Sequence, residues 1–502
     1  MLNRFFASLF LVFTFSSLSP HTNASDTPPH PNILLALGDN WAWPHAGALG
    51  DPTVKTPVFD RIAREGMLFN YAFCPVPSCA GSRSCLVTGR AAHQLKGAAS
   101  LFGDFHKFDS FTELLEKTGY EVGYTGKGWS PGKYLEHGWK KNPAGQEYES
   151  FEEFMEERDP AKPFFFWYGN TDVALGRWKY GPEYWGKMDP DTVVVPPNLP
   201  DTRETRESML AYYGSVQRQD LVFGDAVSRL EKDQLLEETL VVYTSDNGWQ
   251  MPRGLANCYD DGTRIPLAMR WGENLKKGAT TDAFVSLTDF GPTFLELAGA
   301  DIPDSMTGVS FADVMSGKES AVDRDHIFLE RERHANAREG NLSYPIRTIR
   351  TRAFLYIWNM RPDRWPAGDP EVWYSVGDFG DVDGSWAKQH ILENRADPEI
   401  QPFFELNFDK RPEEELYDLS KDPAQLNNVA ADPTYEEQRS KLRSRVETWM
   451  RETDDPRVDP TYDEWDEYPY HTKATGFDEN GNANTRKEKW ISRLDPNAKT
   501  NP

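Results

Sequence analysis

Cysteine is scarce in this chain, with four in 502 residues. Three of them crowd between Cys74 and Cys85, at Cys-x4-Cys and Cys-x5-Cys spacings that structural zinc sites do not use, while Cys258 stands alone. A zinc-ribbon centre is therefore excluded; pairing of Cys74 with Cys85, or of one of them with Cys258, stays open. Positive charge is short as well. Lys and Arg total 55 against 79 Asp and Glu, a formal charge of −24, so long-range repulsion excludes nucleic acid as a partner. Many of the acids fall in the last third, as in "DEWDEYPY" from Asp463, which leaves room for a locally basic pocket elsewhere. Long apolar runs are missing too. The one N-terminal run, Phe5 to Phe15 after Arg4, is well below the roughly 20 residues that span a bilayer. With Thr22-Asn23-Ala24 behind it, residues 1–24 read as a secretory signal, so the chain is expected to be secreted or periplasmic with no membrane span.

What is present is enough for a sizeable core: 38% hydrophobic and 13% aromatic residues, over a length that allows two to four domains at about 100–200 residues each. "PNILLALGDN" is a buried parallel strand with polar groups at its C-terminal end, where ligands bind in open α/β sheets. "TPVFDRIAREG" follows as a helix, with Thr56 as N-cap, Pro57 in the first turn and Gly66 as the stop. "SFTELLEKTGY" repeats that design, and "EVGYTGK", "PFFFWYGNTD" and "TLVVYTSDNG" supply further strands, the last after a long helix from about 203 to 236. This alternation predicts an α/β fold with a mostly parallel sheet flanked by helices. After residue 340 the pattern changes to paired strands and one helix from 435 to 453, a smaller α+β subdomain. The expected division is 1–24 signal, 25–340 catalytic domain, 341–453 C-terminal subdomain and 454–502 acidic, aromatic tail.

Two strands end in Asp-Asn, Asp39-Asn40 and Asp246-Asn247. Meeting over one sheet edge, their oxygens suit a hard cation, calcium or magnesium, better than zinc. Between them lies Cys79-Ala80-Gly81-Ser82-Arg83, followed by "LVTGR". From about residue 31 to 453 the chain resembles the formylglycine sulfatases of the alkaline-phosphatase-like superfamily, and the resemblance is strongest toward the N-sulfoglucosamine sulfohydrolase branch. The stretches that carry it are "DNWAWPHAGALGDPTVKTPVFDRIAREG", "PSCAGSRSCLVTGR", "ANCYDDGTRIPLAMRW" and "RERHANAREGNLSYPIRTIRTRAFLYI".

The resemblance implies that a maturation enzyme oxidises Cys79 to formylglycine, the nucleophile precursor, and that Asp39, Asn40, Cys79, Asp246 and Asn247 surround one calcium ion. A hydrated aldehyde carries two hydroxyls on one carbon: one attacks sulfur, and the other later collapses to expel sulfate. Arg83, four residues after Cys79 and on the same helix face, would orient that group, and Lys127 in "YTGKGWSPG" matches a family lysine that contacts sulfate. Arg331, Arg333 and His334 become candidate contacts to a sulfated oligo- or polysaccharide. The oligomeric state is open.

The chain also departs from the pattern. Gly81 stands where the signature has Pro or Ala, Asn40 where the family has a second aspartate, and Trp129 where many relatives place a histidine. Ala174 replaces the histidine of Asp-Pro-His, and Leu255 replaces a lysine or arginine. Alanine and leucine neither donate protons nor bind an anion, so His45, His93, His334 or Arg253 would have to substitute. Two readings result: an active sulfatase, and a weak or silent protein that binds sulfated glycans. A zinc phosphohydrolase of the same superfamily fits less well, because the proposed site lacks a histidine cluster.

Overall fold

The computed structural model describes residues 30–174, 185, 187–318, 322–370 and 377–471. The signal read at 1–24 lies outside the described residues. No described helix is long and apolar enough to cross a membrane.

The central sheet contains β1 (Asn32–Gly38), β2 (Met67–Phe73), β4 (Glu121–Gly126), β6 (Gln146–Glu147), β7 (Phe164–Gly169), β8 (Thr239–Ser245), β9 (Arg264–Ile265), β10 (Leu267–Arg270) and β11 (Ala279–Ser286). Its order is β11-β2-β10-β8-β1-β7-β4-β6, with β9 paired to β2. A small ladder of β3 (Gly103–Asp104) and β5 (Gly132–Lys133) stands beside it. Parallel pairing holds from β8 through β1, β7 and β4 to β6, and again between β2 and β11. The sheet is thus mostly parallel, as expected, and β10 in "RIPLAMRW" runs antiparallel to both β8 and β2.

Side chains alternate faces along each strand, so β1 feeds two cores. Ile33, Leu35 and Leu37 join Phe165, Trp167, Leu240 and Val242 on one face, while Leu34 and Ala36 join Phe164, Phe166, Val241 and Tyr243 on the other. The first face is covered by α2 (Cys79–Thr88), α3 (Phe111–Lys117) and the helix Phe290–Leu297. Over the second lie α1 (Pro57–Glu65) and the long helix Arg203–Lys232. At the start of α1, Thr56 makes no side-chain cap bond. Asp220 of the long helix caps it instead, accepting from the Val58 and Phe59 amides at 2.9 Å each.

A second, antiparallel sheet orders β12 (His326–Arg331), β13 (Ile346–Thr351), β14 (Phe354–Asn359) and β15 (Glu414–Asp418). It therefore begins ahead of residue 340, earlier than the sequence division placed it. The helix Glu436–Glu452 packs Leu442, Val446 and Met450 on one of its faces. Through Leu329, Ile346, Leu355 and Tyr417 the other face meets Phe73, Tyr259 and Phe284 of the larger unit. From 454 as far as residue 471 the chain is packed onto both units. Asp455 ion-pairs Arg347, Arg457 pairs Glu332, and Trp465 is buried in the first core.

Candidate active site

β1 and β8 are hydrogen-bonded neighbours in register, Gly38 opposite Ser245, so the residues that follow, Asp39 and Asp246, emerge side by side. The chain turns at Asn40 with φ of 67°, a left-handed conformation that asparagine tolerates. That turn points its amide at Asp246 Oδ1, 3.1 Å away, while Asn247 Nδ2 reaches Asn40 Oδ1 at 2.6 Å. α2 begins at Cys79 and directs its N-terminus at this cluster. Cys79 Sγ lies 3.7 Å from Asn40 Oδ1, and one ligand atom each from Asp39, Cys79 and Asp246 fall within 4.8 Å of one another.

Two glycines let a further strand end close in. A β-carbon on Gly126 (φ 69°) would sit 2.1 Å from the Gly169 carbonyl, and one on Gly169 would sit 2.0 Å from that of Lys127. With β4 and β7 this tight, Lys127 donates from Nζ to Asp39 Oδ1 at 2.6 Å. Arg83, one helical turn beyond Cys79, is fully buried. Its Nε donates to Asp246 Oδ2 at 2.7 Å, and one terminal nitrogen donates to the carbonyls of Lys127 and Gly128 at 2.6 and 2.9 Å. The other terminal nitrogen stands 3.6 Å from Asp39.

Two carboxylates thus face two cations in a buried site. Burial raises the Asp39 carboxyl, but Lys127 and Arg83 outweigh it and hold the group well below the usual range. Burial and the neighbouring Asp39 charge push Asp246 up to about 6. For Cys79, burial and then Asp246 and Asp39 push the thiol far above its ordinary value, so it is a neutral thiol. The donor set suits a hard cation: two carboxylates, the Asn40 amide oxygen, and Asn247 Oδ1, which is buried with no hydrogen-bond partner among the described residues. A neutral sulfur is the one donor that does not match. An oxygen-bearing residue at position 79 would.

Among the saccharide candidates, Arg331 ion-pairs Asp381 and donates to the Ala256 and Pro366 carbonyls. Arg333 donates to the backbone of Tyr468 and Pro469. Both residues are about 1% exposed, and these bonds tie their guanidinium groups to neighbouring loops. His334 is different: its Nδ1 is 2.9 Å from the hydroxyl of Ser78, the residue before Cys79, and burial pushes it down to about 4.

The departures have local causes. At Gly81 a β-carbon would lie 2.6 Å from the Ala99 carbonyl, so a larger residue must displace that backbone. Trp129 packs in the core and donates to Ser84 Oγ at 2.7 Å. Leu255 is buried and Ala174 half-buried. His93 is tied to Glu330 and the Thr453 carbonyl, and Arg253 to the Leu406 carbonyl and the Tyr417 hydroxyl, so neither reaches the site. His45 is held by the Tyr212 hydroxyl at 3.1 Å and packs on Trp249. Sequence reasoning missed Asp381 and Asp383, whose loop comes from far along the chain; "GDVDGSW" carries no periodicity or spacing that would single them out.

Residues 31–300 match the family model described as Sulfatase, and residues 252–369 match one described as N-sulphoglucosamine sulphohydrolase, C-terminal. The chain is 28% identical over 472 residues to the N-sulphoglucosamine sulphohydrolase of Homo sapiens, covering 85% of this chain and 91% of that protein. It is 27% identical over 431 residues to an ulvan-active sulfatase of Formosa agariphila, covering 84% and 80%. A solved complex with D-glucosamine-2-N,6-O-disulfate superposes at a TM-score of 0.59 and 19% identity, over 86% of this chain and 99% of that one.

Proposed function

From the premise that this chain belongs to the sulfatase family, we propose that it hydrolyses a sulfate ester or N-sulfate on a sulfated saccharide, using formylglycine made from Cys79 and one calcium ion. The observation that carries this is the meeting of Cys79 with Asp39 and Asp246 inside 4.8 Å, beside Arg83 and Lys127. Asp39, Asn40, Asp246 and Asn247 would hold the cation, which when bound supplies Lewis acidity toward sulfate oxygens. A hydrated aldehyde at position 79 would supply the attacking oxygen, where a buried neutral thiol is a poor nucleophile. Lys127 neutralises sulfate charge, Arg83 fixes Asp246 and the end of β4, and α2 presents its N-terminal amides to the anion. His334 braces Ser78 and so the start of α2. Saccharide names among the relatives, N-sulfoglucosamine and ulvan, support a polysaccharide substrate.

Ala174 and Leu255 favour a second reading, a protein that binds sulfated glycan with little turnover. Mass analysis of the Cys79 peptide from host-matured protein, with sulfate release from heparin and algal oligosaccharides, separates the two. Aldehyde at 79 and sulfate release abolished by C79A support the hydrolase. An intact thiol with tight glycan binding and no release overturns it.

A further inference from the structure

We propose that Asp383 is the acid that protonates the departing saccharide oxygen or nitrogen, a task the side chains at 174 and 255 cannot perform. The inference rests on the sulfatase reading above. Asp383 lies on the segment 378–383, which is fixed at both sides. Asp381 pairs with Arg331 and Arg338 and accepts from the Ala335 amide at 2.9 Å. Buried Lys388 donates to the carbonyls of Asp378, Phe379 and Val382 at 2.8, 3.0 and 2.6 Å. Next to these anchors, the half-buried Asp383 accepts from Gln250 Nε2, three residues beyond the proposed ligand Asn247, and Ala335, which holds Asp381, follows the His334 that reaches Ser78 beside Cys79. Burial raises its carboxyl to about 6, with Lys388 and Gln250 opposing and Asp381 and Asp39 assisting. The neighbouring alternatives are poorly suited: His334 and His45 are pushed down to about 4, and Lys127 and Arg83 hold their protons in ion pairs.

In the step, a new S–O bond forms to the attacking oxygen as the bond from sulfur to the sugar oxygen or nitrogen breaks. The released electron pair takes the proton of Asp383. One water is consumed overall: its oxygen leaves on sulfate, one of its protons restores the carboxyl and the other is released to solvent. The test compares matured wild type, D383N, D383E and Q250M on a saccharide sulfate and on 4-nitrophenyl sulfate, whose leaving oxide needs no proton. D383N is expected to lower the saccharide-to-aryl ratio of kcat by about 10²–10⁴, with KM and calorimetric binding of inorganic sulfate preserved. D383E should keep the acid limb of the pH profile that D383N loses, and Q250M should lower the same ratio less. An unchanged ratio, whether both activities fall or neither does, overturns the assignment. Wild-type protein that releases sulfate from neither substrate overturns the sulfatase reading and the assignment with it.

Discussion

Gly81 carries the sharpest stability prediction, because restoring the residue its relatives have there should damage this fold. A β-carbon on Gly81 would stand 2.6 Å from the Ala99 carbonyl oxygen and 3.0 Å from Val76 Cγ1. Neither neighbour can withdraw easily. Ala99 and Val76 are 1% exposed, and Ser84 ties α2 to this segment by donating to the Ala98 carbonyl at 2.8 Å. Replacing glycine by alanine inside a helix normally gains about 1 kcal/mol. Overpacking against fixed backbone costs ~1–3 kcal/mol, so G81A is expected to be less stable by up to ~2 kcal/mol despite its better propensity. Urea unfolding at constant m-value measures the difference. Sulfate release should fall too, since α2 shifts and carries Cys79 with it. A G81A protein as stable as wild type, or more so, would refute the packing argument.

Three further outcomes follow from the same geometry. Calcium at about 100 times its dissociation constant should stabilise wild type by ~2.7 kcal/mol and be reversed by chelator; D246N should lose that shift and start from a lower midpoint, because Arg83 is left buried without its partner. W129H, which restores a histidine of the relatives, should destabilise by about 3 kcal/mol without raising sulfate release, since Trp129 fills the core against Phe105 at 4.7 Å instead of lining the site; a faster W129H enzyme would contradict this. Burial lowers His93, but Glu330 and Asp455 raise it net above 6.5, so its stabilising charge is fully present below 6.5 and lost as pH rises through the folded value. Urea midpoints of wild type should therefore fall on alkalinisation more than those of H93Q; parallel curves would show that His93 contributes nothing.

The alternating fold could be read from the linear pattern, as could the run of oxygen donors at the sheet's edge. Near-continuous apolar strands ending in Asp39-Asn40 and Asp246-Asn247, with helices between them, admit few arrangements other than a helix-covered parallel sheet with oxygen donors along one edge. Cys79 and Lys127 were singled out by the resemblance to sulfatases, and one helical turn puts Arg83 on the face of Cys79. Tertiary structure decided the rest. Arg331 and Arg333 sit in a stretch shared with sulfatases, yet each guanidinium turns inward to Asp381 or to the backbone after Trp465, groups separated from it by tens of residues or more. Gly81 looked like an altered signature until the carbonyl of Ala99 came against it. Asp383 reaches Gln250 from a loop 133 residues further along the chain. Such roles depend on burial and on which distant charge is the nearest neighbour, and a linear pattern records neither until the chain has packed.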